Sequence, residues 1–580
     1  MIKSLKKIKF LLNKNQIKSL MLLSILLIIG MIFEVFGLGI IIPFITIILN
    51  PEFLTSSVYS NQIRDVFGEI PYNDFLFYTL SIFVVIYLFK TLFLIFLAFK
   101  QNTFLSNLDA TLSVKLFNHY LRKKYSFHLK RNSASLIKNL QVEVNLFRSF
   151  CMALITLIIE SALLFSIIIT LILIEPIGAL TVGLFFIFFS LLVIKISNKS
   201  LKFWGMEREI FDDKLSKNIV EGLGGIKEIL ILRRNKFFTN IFSKNHFIRS
   251  NIIRNHMTIS QAPRYLLEII AVIGIIGFIF IMLKQSKDTN ELLTILGVFV
   301  AATFRMIPSF NRIIVAFQNM KYYSSSVDLL FNEFKNDNIL LENKNSNPIK
   351  FKSNITINNL EFKYSKNSRG ILKNVNLKIA KGDFIGIIGA SGSGKSTLVD
   401  LIMGLFYPTG GSISVDGKNI NQNFKSWQNI IGYVPQNIFL TNDSIKNNIA
   451  FGLEKNEINN QNLTKALKDS QLDRFVKSLD LGIETKVGER GTQISGGQLQ
   501  RIGIARALYK IPEILIFDES TASLDNKTES SLISAINNFK GHKTIIMISH
   551  NLKSLKNCDR IYSLKNGIMS NQKSLIKDLI

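Results

Sequence analysis

The feature that most constrains this chain is a set of six long apolar runs in its first 320 residues. An α-helix needs about 20 residues to cross the hydrocarbon core of a bilayer, and each run is long enough to do so. We therefore predict an α-helical transmembrane domain with six spans over residues 1–320. The predicted spans are Leu20–Leu49, Phe75–Phe99, Phe147–Ile174, Ile177–Ile196, Ala262–Leu283 and Leu292–Phe317.

The segment before the first span is basic, and its apolar residues recur at helical spacing. This pattern predicts an amphipathic helix that lies on the membrane surface. We do not expect the first span to be a cleaved signal peptide, because it is long, has no small-residue cleavage site and continues directly into the next loop. The apolar residues within Met1 to Gln16 are Ile2, Leu5, Ile8, Leu11 and Leu12.

The loops between the spans differ in charge. Lys100–Arg148 and Lys195–Arg264 are long and rich in Lys and Arg, whereas Asn50–Asn73 carries Arg64 as its only basic residue. The positive-inside bias therefore predicts that the N-terminus and both long loops lie in the cytosol. We expect a multi-pass protein of the bacterial inner (cytoplasmic) membrane.

Composition says less about partners. The formal net charge of +28 accompanies a chain rich in Lys, Asn and Ile, so it reflects composition more than a charged ligand. We expect membrane lipids, and no nucleic acid, as partners. The two cysteines, Cys151 in a predicted span and Cys558 in the C-terminal part, exclude a disulfide framework.

A glycine-rich loop of the form G-x-x-x-x-G-K-S-T occupies residues 389–397. Phe384–Ile388 before it is typical of a buried strand, and Thr397–Ile402 begins a helix. Such a loop surrounds nucleotide phosphates with backbone N–H groups, Lys395 would reach the β- and γ-phosphates, and Ser396 would bind Mg²⁺. The alternative is a chance cluster of glycines. The predicted phosphate-binding residues are Gly389, Ala390, Ser391, Gly392, Ser393, Gly394, Lys395, Ser396 and Thr397.

A second motif, Ile494 to Gln498, stands just before the helical stretch Leu499–Leu508. A serine and two glycines at a helix N-terminus offer a hydroxyl, bare N–H groups and the positive end of the helix dipole to an anion. The motif resembles the signature sequence of ABC-type ATPases, with Ile494 where leucine is commoner. The residues concerned are Ser495, Gly496, Gly497 and Gln498.

The other ABC motifs follow in the expected order. Tyr364, at the end of the apolar stretch Leu360–Tyr364, matches the aromatic residue that stacks on adenine, and Gln436 matches the Q-loop. Ile514–Glu519 resembles a Walker B strand, and His550 ends the apolar stretch that begins at Ile545. Alone, Tyr364 would more often pack on a strand and His550 would more often be an ordinary hydrogen-bonded histidine. The D-loop resemblance is Ser523-Leu524-Asp525.

The resemblance implies a role for each residue. Glu519 orients the attacking water, His550 contacts the γ-phosphate, and Gln436 and Asp518 join Ser396 around Mg²⁺. Asp525 and the signature residues belong to the ATP site, and Ser495 to Gln498 complete the site on the partner's ATP. The resemblance therefore implies a homodimer that binds and hydrolyses ATP with Mg²⁺.

Six spans, two long cytosolic loops and a C-terminal ATPase together resemble an ABC half-transporter of the exporter type. The implied fold is the six-span helical domain (1–320), a linker (321–350) and an α/β P-loop nucleotide-binding domain (351–580). In this family, turns of the long loops contact the ATPases. On that pattern, Tyr125–Leu136 and Gly222–Leu232 are expected to be coupling helices, although the second could be a simple loop cap.

Two stretches resemble the PglK flippases of bacterial protein N-glycosylation, which move lipid-linked oligosaccharides. One is Ile431–Leu440 with Asn442–Ile445, a stretch that other exporters share; the other is Arg305–Arg312 in the sixth predicted span. The resemblance implies ATP-driven movement of a polyprenyl-diphosphate-linked oligosaccharide from the cytosolic to the periplasmic leaflet.

Three cations interrupt the apolar spans, at a cost of roughly 2.5–3.5 kcal/mol each on insertion scales. Lys90, Arg264 and Arg305 all fall in the cytosolic half of their spans, where they could bind the substrate's diphosphate. The alternatives are snorkelling to the interface, or pairing with an acid of the same domain. The candidate acids are Glu34, Glu160 and Glu268.

Two other functions stay open on the sequence. The chain could export another amphiphile, such as a lipid A-like glycolipid or a drug, or it could be an ATP-regulated membrane protein that does not pump. The intact set Lys395, Asp518, Glu519 and His550 disfavours the latter. An amphipathic pattern over residues 59–70 predicts a short external helix that could guide a polyprenyl tail or simply cover the loop.

Overall fold

The computed structural model describes residues 2–39, 72–174, 176–284, 289–335, 348–365, 367–520 and 526–571. These residues form two compact units. The first comprises Met1–Lys123 and His128–Ile339, and the second comprises Lys124–Phe127 and Leu340–Ile580. The boundary between Ile339 and Leu340 falls within the predicted linker, whereas Lys124–Phe127 of the first long loop groups with the second unit.

The first unit is entirely helical in its described part. Three helices are short and overlap the predicted coupling segments: α4 and α5 in the first long loop and α8 in the second. The first residues of α4 group with the second unit. A π-helical turn, Asn139–Glu143, joins α5 to α6. The helices are α1 (Ile2–Leu11), α2 (Lys14–Gly39), α3 (Tyr72–Leu121), α4 (Tyr125–Lys130), α5 (Ser133–Lys138), α6 (Val144–Ile174), α7 (Pro176–Gly224), α8 (Ile226–Ile231), α9 (Asn235–Lys284), α10 (Thr289–Tyr322) and α11 (Ser324–Lys335).

Five helices in the described part of the chain are long and apolar enough to cross a membrane. They are α2, α3, α7, α9 and the helix that includes α6. The sixth predicted span falls on α10, where most side chains before Met306 lie outside the description. With 50 residues, α3 and α9 are each about 75 Å long, more than twice the thickness of a bilayer core. These helices therefore extend well beyond the membrane.

A buried ionic network crosses the polar part of this unit. We use that name for Lys138, Glu143, Arg208, Asp212 and Ser326, each at most 5% exposed. Glu143 Oε2 accepts a hydrogen bond from Ser326 Oγ at 2.6 Å and lies 3.4 Å from Arg208 Nη2, while its Oε1 lies 3.6 Å from Lys138 Nζ. Arg208 Nη1 lies 3.7 Å from Asp212 Oδ2. The network thus ties α5, the π-helical turn, α7 and α11 together.

The second unit contains two sheets. Four antiparallel strands have the order β2-β1-β4-β5, and six have the order β10-β9-β3-β8-β7-β6, in which only the β10–β9 pair is antiparallel. The strands are β1 (Asn354–Phe362), β2 (Leu372–Ala380), β3 (Phe384–Ile388), β4 (Gly410–Val415), β5 (Lys418–Asn419), β6 (Ile431–Val434), β7 (Ile514–Asp518), β8 (Thr544–Ile548), β9 (Arg560–Lys565) and β10 (Ile568–Asn571).

The central strands are buried on both faces. Every residue of β7 and of β8 is buried, as the unbroken apolar runs predict for a parallel sheet covered on both sides. Apolar clusters lie on the two faces of this sheet, so the carboxyl ends of β3, β7 and β8 are held on a rigid base. The helices of this unit are α12 (Lys395–Ile402), α13 (Phe424–Asn429), α14 (Ile445–Ile449), α15 (Asn460–Asp469), α16 (Asp473–Lys477), α17 (Gly496–Tyr509) and α18 (Asn526–Asn537).

Several boundaries differ from the sequence prediction. The surface helix ends at Leu11, and α2 begins at Lys14, so the first span continues a helix that starts before the apolar run. The first strand ends at Phe362, two residues before Tyr364. The helix expected over residues 59–70 lies outside the described residues.

Candidate nucleotide-binding site

The glycine-rich loop turns sharply between β3 and α12. Gly392 and Gly394 have φ angles of +77° and +104°, in the left-handed region that favours glycine. A Cβ on Gly389 would stand 2.4 Å from the carbonyl oxygen of Leu564, so no larger residue fits there without displacing β9. The loop is therefore a cradle of bare backbone at the N-terminus of α12, where N–H groups and the helix dipole attract an anion.

Lys395 lies over this loop. Its Nζ donates to the carbonyl oxygens of Gly389 at 2.9 Å and Ala390 at 3.1 Å, and the residue is 5% exposed. The hydroxyl of Ser393 is buried in the same loop and has no hydrogen-bond partner among the described residues. A buried ammonium and a buried free hydroxyl within one loop fit the binding of a phosphate chain.

Glu519 is the centre of the chemical site. It follows β7 with a φ of +47°, a strained conformation for a residue with a side chain. Its Oε1 lies 2.7 Å from His550 Nε2 and 3.5 Å from Lys395 Nζ, and its Oε2 accepts from Gln436 Nε2 at 3.2 Å. Nε2 of His550 is within hydrogen-bond distance of this carboxylate, which accepts. The structure thus brings Gln436, Lys395, Glu519 and His550 into contact.

The carboxylates beside Glu519 fit a divalent cation. Burial, followed by the charge of Glu519, raises the pKa of Asp518, and burial, followed by Asp518, raises the pKa of Asp400 to about 6. Asp518, the exposed hydroxyl of Ser396 and the amide of Gln436 supply oxygen atoms, which Mg²⁺ prefers. Among the described residues, no group of three or more His, Cys, Asp or Glu could hold a metal. Mg²⁺ commonly binds through one or two carboxylates together with substrate phosphates, so this set suits it.

Tyr364 lies at the edge of the same site. Its hydroxyl is 3.0 Å from Thr397 Oγ1, and its ring packs edge-on against Phe362 and Phe406. The residue is 42% exposed, so one part of the ring is fixed while the other stays open for a base to stack on. Strand packing and a nucleotide platform are therefore compatible here.

The signature residues are displayed outward. Ser495 caps α17: its Oγ accepts from the backbone N–H of Gln498 at 3.4 Å, and Gln498 Oε1 accepts from the N–H of Ser495 at 2.9 Å. Ser495 and Gly496 are exposed, while Gly497 and Gln498 are half-buried. This capping box holds the helix start open towards solvent. Asp525 lies outside the described residues.

The sequence did not single out two residues beside Asp518. Tyr433 OH lies 3.5 Å from Asp518 Oδ2, and Asp400 follows the loop by one helical turn. Tyr433 reaches the site because β6 pairs with β7, with Tyr433 opposite Ile516. That strand order is a tertiary fact, and the only local signal was that Tyr433 stands three residues before Gln436.

The three predicted substrate cations have different surroundings. Lys90 is half-buried, with Nζ 5.0 Å from the ring centroid of Tyr87. Arg264 Nε lies 3.3 Å from Glu268 Oε1, and both side chains are more than half exposed. The side chain of Arg305 lies outside the description. Glu160 pairs with Arg312, at 2.8 Å.

Comparison with known proteins agrees with both halves of the architecture. Residues 17–283 match the ABC transporter transmembrane region, and residues 372–522 match the ABC transporter family. The chain belongs to the ABC transporters, as an exporter-type half-transporter. It is therefore a multi-pass membrane protein whose ATP hydrolysis is coupled to transport and whose ATPase domain is cytosolic.

Individual relatives of this half-transporter differ in coverage. The ATP-dependent lipid A-core flippase of Cupriavidus pinatubonensis is 28% identical over 78% of this chain and 77% of its own length. The protein of the same name from Idiomarina loihiensis is 38% identical, but this alignment spans 37% of either chain. A bacterial Atm1-family ABC exporter, solved with ATP bound, superposes with a TM-score of 0.81 over 97% of this chain and 96% of its own, at 20% identity.

Proposed function

We propose that this half-transporter acts as a homodimer that moves a phosphate-bearing glycolipid from the cytosolic to the outer leaflet of the bacterial inner membrane. The convergence of Gln436, Lys395, Glu519 and His550 at the carboxyl ends of β7 and β8 is the observation that carries the proposal. These groups suit hydrolysis of ATP, and a complete hydrolytic set is expected of a pump rather than of a passive ATP sensor.

The residues divide the hydrolytic work. Glu519 is held between the amide of Gln436 and the imidazole of His550. It orients a water molecule by accepting a hydrogen bond from it. Lys395 and the bare backbone of the loop bind the phosphates, and His550 stands 3.3 Å from Lys395 at the γ-phosphate end. When bound, Mg²⁺ would be held by Ser396, Gln436 and Asp518 and would neutralise phosphate charge.

The exposed start of the signature helix supports the dimer. The hydroxyl of Ser495 accepts a hydrogen bond that caps its own helix, and the start of that helix is exposed. We infer that Ser495 to Gln498 act on the nucleotide of the partner, together with Asp525. Each dimer would then contain two composite sites.

Lipid A-like glycolipids are the first substrate class to test. Relatives named lipid A-core flippase align over 78–81% of this chain, which includes much of the membrane domain. Such a lipid needs a cavity for acyl chains and cations for phosphate. Lys90, Arg264 and Arg305 are our candidates for the phosphate contacts.

A polyprenyl-diphosphate-linked oligosaccharide is the second substrate class. The stretch Arg305–Arg312 in α10 favours it, because it belongs to the membrane domain and resembles PglK flippases. Within this stretch, Arg312 is engaged by Glu160, so Arg305 is the better candidate for a diphosphate. Both substrate classes combine a lipid tail with a phosphorylated sugar head.

Reconstitution tests both classes. Liposomes containing the purified dimer would receive either a labelled lipid A-like glycolipid or a labelled lipid-linked oligosaccharide, and ATP-dependent movement between leaflets would be scored. We expect the ATP-dependent rate of movement between leaflets to be clearly higher for one lipid class than for the other. Hydrolysis without movement of either lipid would rule out this function and favour export of another amphiphile.

The cations are tested in the same vesicles. Replacing Lys90, Arg264 or Arg305 with Ala should reduce lipid movement much more than basal ATP hydrolysis, because these residues lie in the membrane domain. Glu at each position should be worse than Ala, since a carboxylate repels phosphate. Lys100→Ala is the matched control for Lys90, because its Nζ also lies over a ring, 5.3 Å from the centroid of Phe96. If all three Ala variants move the lipid at the wild-type rate, these residues do not bind the substrate and instead snorkel to the interface or pair with acids.

A further inference from the structure

A cleft of about 250 Å³ lies in the first unit, between the N-terminal helix and the helices behind it. Residues of α1, α2, α3 and α6 line it, so one chain supplies all of its walls. All of the lining side chains are apolar except that of Lys9. They are Leu5, Ile8, Leu12, Ile17, Leu20, Phe104, Leu108, Cys151, Leu154 and Ile155.

The floor and the rim of the cleft differ. Its floor consists of fully covered side chains, among them Leu108 at 1% and Ile155 at 3% exposure. Its rim consists of half-buried or exposed residues, including Leu12 and Leu154. A narrow apolar slot with an open rim fits an extended hydrocarbon chain, because such a chain buries apolar surface without a hydrogen-bond partner.

The rim also carries positive charge. Four of the ten residues of α1 are lysines, and none of the ten is acidic. Lys7 is paired with Asp328 at 2.6 Å, whereas Lys9 is exposed and lines the cleft. A basic surface helix attracts anionic headgroups of the cytoplasmic leaflet. Lys9 is therefore placed to contact a lipid phosphate whose chain enters the slot.

The position along the membrane agrees with such an occupant. Ile17 and Leu20 line the cleft at the point where α2 changes from polar to apolar sequence. The positive-inside bias places this point at the cytosolic interface. An acyl chain from the inner leaflet can therefore enter the slot while its headgroup remains at the level of Lys9.

We propose that this cleft binds one acyl chain of an anionic phospholipid of the cytoplasmic leaflet, with its phosphate on Lys9. The site does not depend on which glycolipid is transported. Its occupant would fix α1 against α3 and α6 and so anchor the N-terminal helix to the spans.

Native mass spectrometry of the intact detergent-purified dimer tests the site. The dimer would be titrated with phosphatidylglycerol and, separately, with phosphatidylcholine carrying the same acyl chains. We expect up to two tightly bound phosphatidylglycerol molecules per dimer and clearly weaker phosphatidylcholine. Equal binding of the two lipids would contradict the role of Lys9. If neither lipid binds and only detergent remains attached to the dimer, the cleft is not a phospholipid site.

Two pairs of variants locate the binding. Lys9→Glu exchanges an attraction for an equal repulsion and should weaken phosphatidylglycerol binding about 30-fold, whereas Lys6→Glu, exposed on the same helix outside the cleft, should change it much less. Leu12→Trp should fill the rim and displace the chain. Ile158→Trp, which is 56% exposed on α6 and outside the cleft, is its control.

The outcomes are decisive even if Leu12→Trp fails to fold. Lys9→Glu and Lys6→Glu change exposed side chains on one helix, so both variants should fold. If these two variants bind phosphatidylglycerol equally, the headgroup site is wrong. If Leu12→Trp folds and retains the tight sites seen with Ile158→Trp, the acyl chain does not occupy the cleft.

Discussion

Removing Glu143 from the buried ionic network should strongly destabilise the membrane unit. Glu143 is 0% exposed and faces both Arg208 and Lys138, whose side chains are each 3% exposed. Without the carboxylate, Arg208 keeps Asp212 and Lys138 keeps Asp213 as longer ion pairs, each at 3.7 Å. Glu209 also interacts electrostatically with both cations. Breaking a buried pair from one side typically costs about 3–5 kcal/mol, and we expect Glu143→Ala to fall in that range.

Conservative variants separate charge from hydrogen bonding. Glu143→Gln keeps an oxygen that accepts from Ser326 Oγ, so it should avoid the roughly 1–3 kcal/mol that a buried unsatisfied donor costs. Adding Lys138→Met to Glu143→Gln removes one charge of each sign. This double variant should therefore be more stable than Glu143→Gln alone, which is the signature of a charge-balanced network.

Tryptophan fluorescence during unfolding in detergent provides the assay. The chain has two tryptophans. Trp204 lies one helical turn before Arg208, and Trp427 lies in the core of the second unit. The transition reported by Trp204 should move with Glu143→Ala. Glu221→Ala is the control, because its partner Lys217 is about half exposed, and such pairs contribute about 0.3–0.5 kcal/mol. If Glu143→Ala is no more destabilising than Glu221→Ala, the network does not stabilise this unit as described.

Two further predictions concern the nucleotide site. Tyr364→Ala should raise the KM for ATP about tenfold, since stacking a base on an aromatic ring is worth about 1–3 kcal/mol, while Tyr364→Phe keeps the ring and should change KM little; equal KM values for Ala and Phe would remove the ring from nucleotide binding. Mixing chains carrying Lys395→Ala with chains carrying Ser495→Ala should recover hydrolysis above that of either mutant alone, because each mixed dimer retains one intact composite site. No recovery in a steady-state ATPase assay would argue against sites shared between protomers.

The strands around the ATP site could be predicted from sequence because their burial has a local signature. Phe384–Ile388 is observed as predicted, and Ile514–Glu519 loses only its last residue from the strand. Parallel strands covered on both faces need unbroken apolar runs, and turn residues mark where such runs end. The prediction that Tyr364 ends the first strand is wrong, because the strand ends at Phe362. An aromatic residue continues a β pattern in the sequence even where strand pairing has stopped.

The membrane unit was less predictable wherever partners are distant in sequence. Glu143 meets Arg208 and Ser326 across 65 and 183 residues, and no spacing rule identifies such partners. The pairing of Arg264 with Glu268 is different, because acids and bases four residues apart on a helix commonly interact. That local rule was available, and it favours a pairing role for Arg264 as one of the alternatives to substrate binding.

We propose that ATP hydrolysis at Glu519 drives outward movement of a phosphate-bearing glycolipid. The most direct test compares the wild type with Glu519→Gln in liposomes that contain the labelled lipid, measuring ATP binding, hydrolysis and lipid movement together. We predict that Glu519→Gln still binds ATP but loses steady-state hydrolysis and lipid movement alike, because the group that orients water is gone. Lipid movement at the wild-type rate by Glu519→Gln, or by the wild type without ATP, would contradict the account.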